Sequence, residues 1–88
     1  TYGKLAHANL QNADLSNMNG DWVSFVGASL QGASLQSGWF ENADFTGANL
    51  AGANLTNARL TGAMFSGANL TNTICPNGIV HGNAYANC

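Results

Sequence analysis

The chain has 88 residues, enough for one small domain, and a formal net charge of −2 from Lys4 and Arg59 against Asp14, Asp21, Glu41 and Asp44. Two cations build no basic patch, which excludes nucleic-acid binding through phosphates. No apolar run reaches membrane-spanning length and no signal peptide is visible, so the surface is expected to be polar and weakly charged, made of Asn, Ser, Thr and Gln.

After Thr1-Tyr2-Gly3-Lys4, an opening without Met as in a processed or trimmed chain, the sequence enters a repeat. Every leucine and phenylalanine falls at a residue number divisible by five: Leu5, Leu10, Leu15, Phe25, Leu30, Leu35, Phe40, Phe45, Leu50, Leu55, Leu60, Phe65 and Leu70, interrupted only by Gly20. Ala stands two positions before nearly all of them, from Ala8 and Ala13 to Ala63 and Ala68. A period of five matches neither the helical 3.6 nor the strand period of 2. It signals an internal repeat that buries its apolar face by stacking. If each five-residue unit forms one side of a turning coil, the large residue and its Ala point inward and the other three positions face solvent. Asn9, Asp14, Asn19, Ser24, Asp44, Asn49 and Asn54 before the large residue fit that division.

The phenylalanines set the length of a turn. Leu5, Phe25, Phe45 and Phe65 form one column of a 20-residue coil, Leu10, Leu30, Leu50 and Leu70 a second, and Leu15, Leu35 and Leu55 a third. The fourth column holds Gly20, Phe40 and Leu60, with Met18, Gly38 and Ala58 at the paired inner position. There Gly20 lies under bulky Phe40 and Met18 under Gly38. Small opposes large, as close packing requires, only if residues 20 apart are stacked neighbours.

The units Ala8-Asn9-Leu10, Ala13-Asp14-Leu15, Ala43-Asp44-Phe45, Ala48-Asn49-Leu50, Ala53-Asn54-Leu55 and Ala68-Asn69-Leu70 resemble the pentapeptide-repeat family and its pattern A-(D/N)-L-x-x. The resemblance covers residues 3–74 without a register break; residues 18–23 and 38–40 depart from it. It implies an all-β fold, a right-handed quadrilateral β-solenoid of about 3.6 coils and about 17 Å height, at about 4.8 Å per coil. Stability is then expected from coil-on-coil contacts.

Two units are expected: a solenoid over residues 1–74 and a capping tail over residues 75–88. Pro76, Asn77 and Gly78 suit a β-turn. Cys75 takes the next inward position after Leu70. The two cysteines, Cys75 and Cys88, lie outside the repeat, and a pair in so small a chain points to a disulfide and an oxidising compartment. Such a bridge folds the tail over the last coil, with Ile79, Val80 and Tyr85 covering it. The Cys75-Pro76-Asn77-Gly78 start and the closing Cys88 also resemble the tails of exported family members. At the other end too few residues precede Leu5 to cover the first coil. That end is either shorn of its cap or a docking surface.

No catalytic constellation, cofactor motif or metal-ligand spacing is found. His7 is expected to project outward and His81 to lie in the tail, neither with a Cys or carboxylate at metal-ligand spacing. Asp21 and Glu41, 20 apart, read as a solvated pair eased by Arg59. Trp22, Trp39, Val26 and Met64 are expected to face outward, and the exposed Trp22, Trp39 and Val26 mark a candidate partner contact. Asn54-Leu55-Thr56 and Asn69-Leu70-Thr71 match the glycosylation sequon as by-products of the repeat.

These readings point to a non-catalytic structural or protein-interaction solenoid outside the cytoplasm. Its contacts, with itself or another protein, run through the open N-terminal end or the Trp22/Trp39 face. End-to-end contacts of this kind do not close and yield filaments. The alternative, a DNA mimic binding a topoisomerase, is disfavoured. A 17 Å rod imitating duplex DNA needs about ten negative charges, and this chain has four acids. Ice binding is disfavoured by the lack of a threonine ladder.

Overall fold

The computed structural model describes residues 3–88; Thr1 and Tyr2, which begin the expected solenoid unit, lie outside the described residues. The chain returns on itself every 20 residues through parallel bridges such as Lys4 to Ser24, Asn9 to Ser29, Asp14 to Ser34 and Asn19 to Trp39. Four bridges per circuit make a four-sided coil. Each side contributes a single bridge residue between two turns, so no helix and no strand of several residues forms among the described residues. A five-residue unit that must also turn a corner has no room for a longer ladder.

The hydrogen bonds of one unit show why the sequence repeats as it does. In residues 53–57, Ala53 N–H closes the preceding corner on Leu50 O (2.9 Å), and Asn54 N–H bonds Ala33 O of the coil below (2.9 Å). Leu55 and Asn57 N–H donate to Ile74 O and Pro76 O of the coil above (both 2.8 Å). The remaining donor, Thr56 N–H, reaches the Asn54 side-chain Oδ1 (3.0 Å). All five donors are satisfied, as a stacked backbone requires.

The Asn or Asp before each large residue is therefore more than a polar surface choice. Its carboxamide or carboxylate closes an Asx turn, as also at Asn9, Asp14, Asn19, Asp44, Asn49 and Asn69. Asp14 and Asp44 are held below the ordinary carboxylate value of 3.8, first by the hydroxyls of Ser16 and Thr46 and then by the backbone N–H groups of those residues.

The second residue after each large one turns the corner with positive φ. Gly27, Gly32, Gly47, Gly52, Gly62 and Gly67 hold that place, as do Asn12, Asn17, Asn42, Asn57 and Asn72 at φ near +60°, with His7, Trp22 and Ser37 as the exceptions. Asn and Gly are the residues that tolerate this region, and it is what a type II turn demands of its third residue.

The core is the expected ladder. Phe25 and Phe45 stack with ring centroids 4.8 Å apart, and Phe45 and Phe65 at 5.0 Å. Phe40 meets Phe25 and Phe45 edge-on at 5.9 and 5.8 Å. Its ring fills the space left by two glycines. A methyl carbon on Gly20 would lie 2.6 Å from Phe40 Cδ1, and one on Gly38 2.8 Å from Phe40 Cζ. Leu30, Leu35, Leu50 and Leu55 are fully buried. Leu5, Leu10, Leu15 and Met18 at one end, and Leu60, Phe65 and Leu70 at the other, pack on the core but are only partly buried.

The tail keeps the expected disulfide, and its course departs from expectation. Cys75 and Cys88 are joined by a disulfide, and Gly78 N–H closes the Cys75 turn (2.8 Å). The chain then doubles back, with Ile74 bridging Val80 in antiparallel sense and His81 N–H donating to Thr73 O (2.8 Å). This hairpin seals one corner, where Thr73, Cys75 and Leu55 are fully buried. It does not cover the last coil: Ile79 is half-buried, Val80 is 44% exposed and Tyr85 80% exposed. The antiparallel pairing with Ile74 holds the tail along one edge of the coil instead of across its end.

Candidate interaction surfaces

Trp22 and Trp39 are 54% and 49% exposed. Each stands where the repeat calls for something else. Trp39 occupies the Asx position of its unit and has no side-chain acceptor for the N–H two residues on. One coil below, in the same column, Asn19 Oδ1 accepts from Asp21 N–H (3.3 Å) in the ordinary way. At Trp39 the Glu41 N–H turns instead to Asp21 Oδ1 of the lower coil, at 2.9 Å. The Asp21 carboxylate thus replaces the acceptor that Trp39 displaces. It was read from the sequence as one half of a solvated acid pair with Glu41. Arg59, expected to ease that pair, lies with its guanidinium 4.7 Å from the centroid of the Trp39 ring, a cation–π contact.

Trp22 occupies a corner position at φ +64°, where the other non-glycine residues are Asn, Ser and His. A bulky residue in left-handed backbone is strained by about 1 kcal/mol. Trp22 helps line a recess of about 460 Å³ together with Gly3, Leu5, Met18, Asp21 and Val23. Val26, grouped with the tryptophans from the sequence, is half-buried, whereas Met64 is 48% exposed. The sequon side chains Asn54 and Asn69 are taken up by the Asx turns to Thr56 and Thr71.

His7 is exposed, and its ring lies where a side chain on Gly27 would sit, 2.6 Å from the position of a methyl carbon there. His81 stands differently from expectation. The hairpin brings a ring nitrogen of His81 and the sulfurs of Cys75 and Cys88 within 4.8 Å of one another. Spacing along the sequence gave no sign of this, because the contact is made by the doubling back of the tail.

A four-sided coil with Ala and Leu or Phe inside, and Asx turns and glycine corners outside, defines a stacked-coil solenoid scaffold. The family model described as pentapeptide repeats matches in 8 copies over residues 4–37 and 40–74, leaving out only Gly38 and Trp39 between them. The chain belongs to the pentapeptide-repeat family, whose members form β-solenoids.

Among solved structures it is similar to HetL, a pentapeptide repeat protein involved in heterocyst differentiation regulation from the cyanobacterium Nostoc. The two are 25% identical over 89% of this chain and 51% of that one, with a TM-score of 0.47. It is also similar to a pentapeptide repeat protein of the Arabidopsis thaliana thylakoid lumen, at 31% identity over 81% of this chain and 60% of that one (TM-score 0.43). A third, from the cyanobacterium Cyanothece, is 27% identical over 80% and 56% (TM-score 0.38). The chain thus spans between 51% and 60% of the lengths of these structures. No curated protein matches the chain significantly. No helix among the described residues is long and apolar enough to cross a membrane.

Proposed function

We propose that the chain is a non-catalytic structural or protein-interaction solenoid that works outside the cytoplasm. In this reading residues 1–74 form a right-handed quadrilateral solenoid and residues 75–88 a disulfide-closed tail. Contacts run through Trp22 and Trp39 and through the neighbouring N-terminal end, and chains associate end to end into filaments. The observation that carries the reading is the pair of tryptophans. Each sits where the repeat favours Asn, one at the cost of left-handed strain and the other by borrowing Asp21. Both rings present large apolar surface to solvent, as binding hot spots do. The disulfide supports an oxidising compartment, and the lumenal neighbour is compatible with it.

The test is light scattering with negative-stain electron microscopy, on the chain and on a Trp22→Asn/Trp39→Asn variant that restores the repeat's own residues. The chain is expected to associate, with filaments repeating at about 20 Å per subunit. The variant is expected to keep its circular dichroism spectrum and stay monomeric. Monomers of the unmodified chain at high concentration would sink the assembly; an unchanged variant would sink the tryptophan contact. For the DNA-mimic alternative, a gyrase supercoiling assay is expected to show no inhibition, given only four acids.

A further inference from the structure

The convergence of His81 on the two cysteines has a chemistry of its own. Cys75 is fixed by the coil: it is fully buried, and its N–H donates to Ile79 O (2.9 Å). His81 is fixed by the bridge that follows the turn, where its N–H donates to Thr73 O (2.8 Å). Cys88 is half-buried, and its carbonyl oxygen lies 2.8 Å from His81 Nδ1, which orients the imidazole beside the sulfurs. Asn77 ties the same loop from the inside. It donates through Nδ2 to Tyr85 O (2.7 Å), and its N–H bonds Asn87 Oδ1 (3.1 Å). The three donor groups lie within 4.8 Å of one another, Cys75 and His81 placed by backbone hydrogen bonds and Cys88 by its carbonyl contact with the His81 ring.

While the disulfide is closed, both sulfurs are engaged with each other. Once reduction lets the two sulfurs part, two thiolates and the neighbouring imidazole are, in contrast, a ligand set for a thiophilic divalent ion. We propose that the reduced form of this chain binds one Zn²⁺ through Cys75, His81 and Cys88, with water at the fourth position. A reductant of the dithiol class opens the site. Its thiolate attacks the sulfur of Cys88, the more accessible of the two, and Cys75 leaves as a thiolate. The reductant's second thiol then attacks the mixed disulfide, releasing Cys88 and closing the reductant to a cyclic disulfide. Two electrons and two protons have then passed to the protein. Zn²⁺ displaces the two thiol protons, so its charge is balanced by two thiolates, and the neutral imidazole supplies its free lone pair. The ion thereby fastens the tail at the corner that the disulfide fastens under oxidising conditions. This site stands apart from the tryptophan surface, and it opens only under reducing conditions, not in the oxidising compartment proposed above.

The test uses the whole chain, reduced with a water-soluble phosphine that does not compete for metal and titrated anaerobically with Co²⁺, followed by displacement with Zn²⁺. The reduced chain is expected to take up one Co²⁺. A sulfur-to-cobalt charge-transfer band and tetrahedral d–d bands should appear and be bleached by one equivalent of Zn²⁺. The oxidised chain is expected to show neither. His81→Ala changes an exposed side chain and leaves both thiols in place; it is expected to weaken binding at least about tenfold, with an unchanged circular dichroism spectrum. Absence of the charge-transfer band in the reduced chain would overturn the proposal. So would a His81→Ala variant that binds as tightly as the unmodified chain, since that would leave a bare thiol pair.

Discussion

Phe45 and Phe65 are the same residue at the same place in the repeat, one coil apart, and they differ in what lies above them. Phe45 is fully buried, stacked on Phe25 below and Phe65 above. Phe65 is only partly buried and has its stacking partner on one side. The rings are equally apolar, so the difference is neighbourhood: in a solenoid a side chain is worth what the adjoining coils make of it. Leu50 and Leu70 differ in the same way. The middle of the stack is a core, and its ends are half-finished surfaces.

The largest expected effect tests that contrast directly. Phe45→Ala opens a cavity between two rings and is expected to cost about 3–5 kcal/mol in urea unfolding, while Phe65→Ala costs about half as much. Equal losses would show that the terminal coil is as well packed as the middle one. A second test addresses the irregular column. Gly38→Ala forces a methyl carbon to within 2.8 Å of Phe40 Cζ and 3.2 Å of the Leu35 carbonyl oxygen. It is expected to cost about 1–3 kcal/mol by overpacking. A neutral result would mean that the Phe40 ring is free to move aside.

The corners give a smaller and cleaner comparison. A methyl carbon on Gly52 would meet nothing within 4 Å, yet the residue sits at φ +69°. Gly52→Ala therefore isolates the backbone term and is expected to cost about 1 kcal/mol. Gly52→Asn is expected to be nearly neutral, since Asn holds the same corner at residues 12 and 72. If both variants lose stability equally, left-handed strain is not the reason for the Asn and Gly pattern.

The smallest effect concerns pH. The folded values of Asp14 and Asp44 lie below 3.8. Their contribution is thus present above the unfolded value and lost as pH falls through the lower folded values. Both carboxylates are on the surface, so only a slight drop in unfolding midpoint is expected below about pH 4. Asp14→Asn, which keeps the acceptor and removes the charge, is expected to flatten it.

Much of this was legible before any coordinates. The period of five, the coil of 20, the aromatic ladder and the exchange of small and large residues at Gly20, Phe40, Met18 and Gly38 all follow from residues that recur in register. The Asx turns and left-handed corners were legible too. Asn and Asp before each large residue, and Asn or Gly two after it, are the residues whose side chains or freedom such turns require. Solvent exposure explains the same composition without a hydrogen bond, so composition alone assigns these residues only to a polar surface.

Where the sequence repeats, its own pattern determined the structure: a stacked coil has one solution for residues 20 apart, and every unit votes for it. Where it does not repeat, only the tertiary structure decided. The hairpin held Val80 and Tyr85 away from the end they were expected to cover, and carried His81 to Cys75 and Cys88. The coil likewise placed Arg59 on Trp39 and turned Asp21 to the Glu41 N–H. The hairpin contacts join groups whose spacing along the chain carries no period, whereas Arg59 on Trp39 and Asp21 on Glu41 join residues 20 apart, where the period gives the neighbour but not which of its atoms is met. Their positions are set by competition among local hydrogen bonds that only the folded geometry resolves.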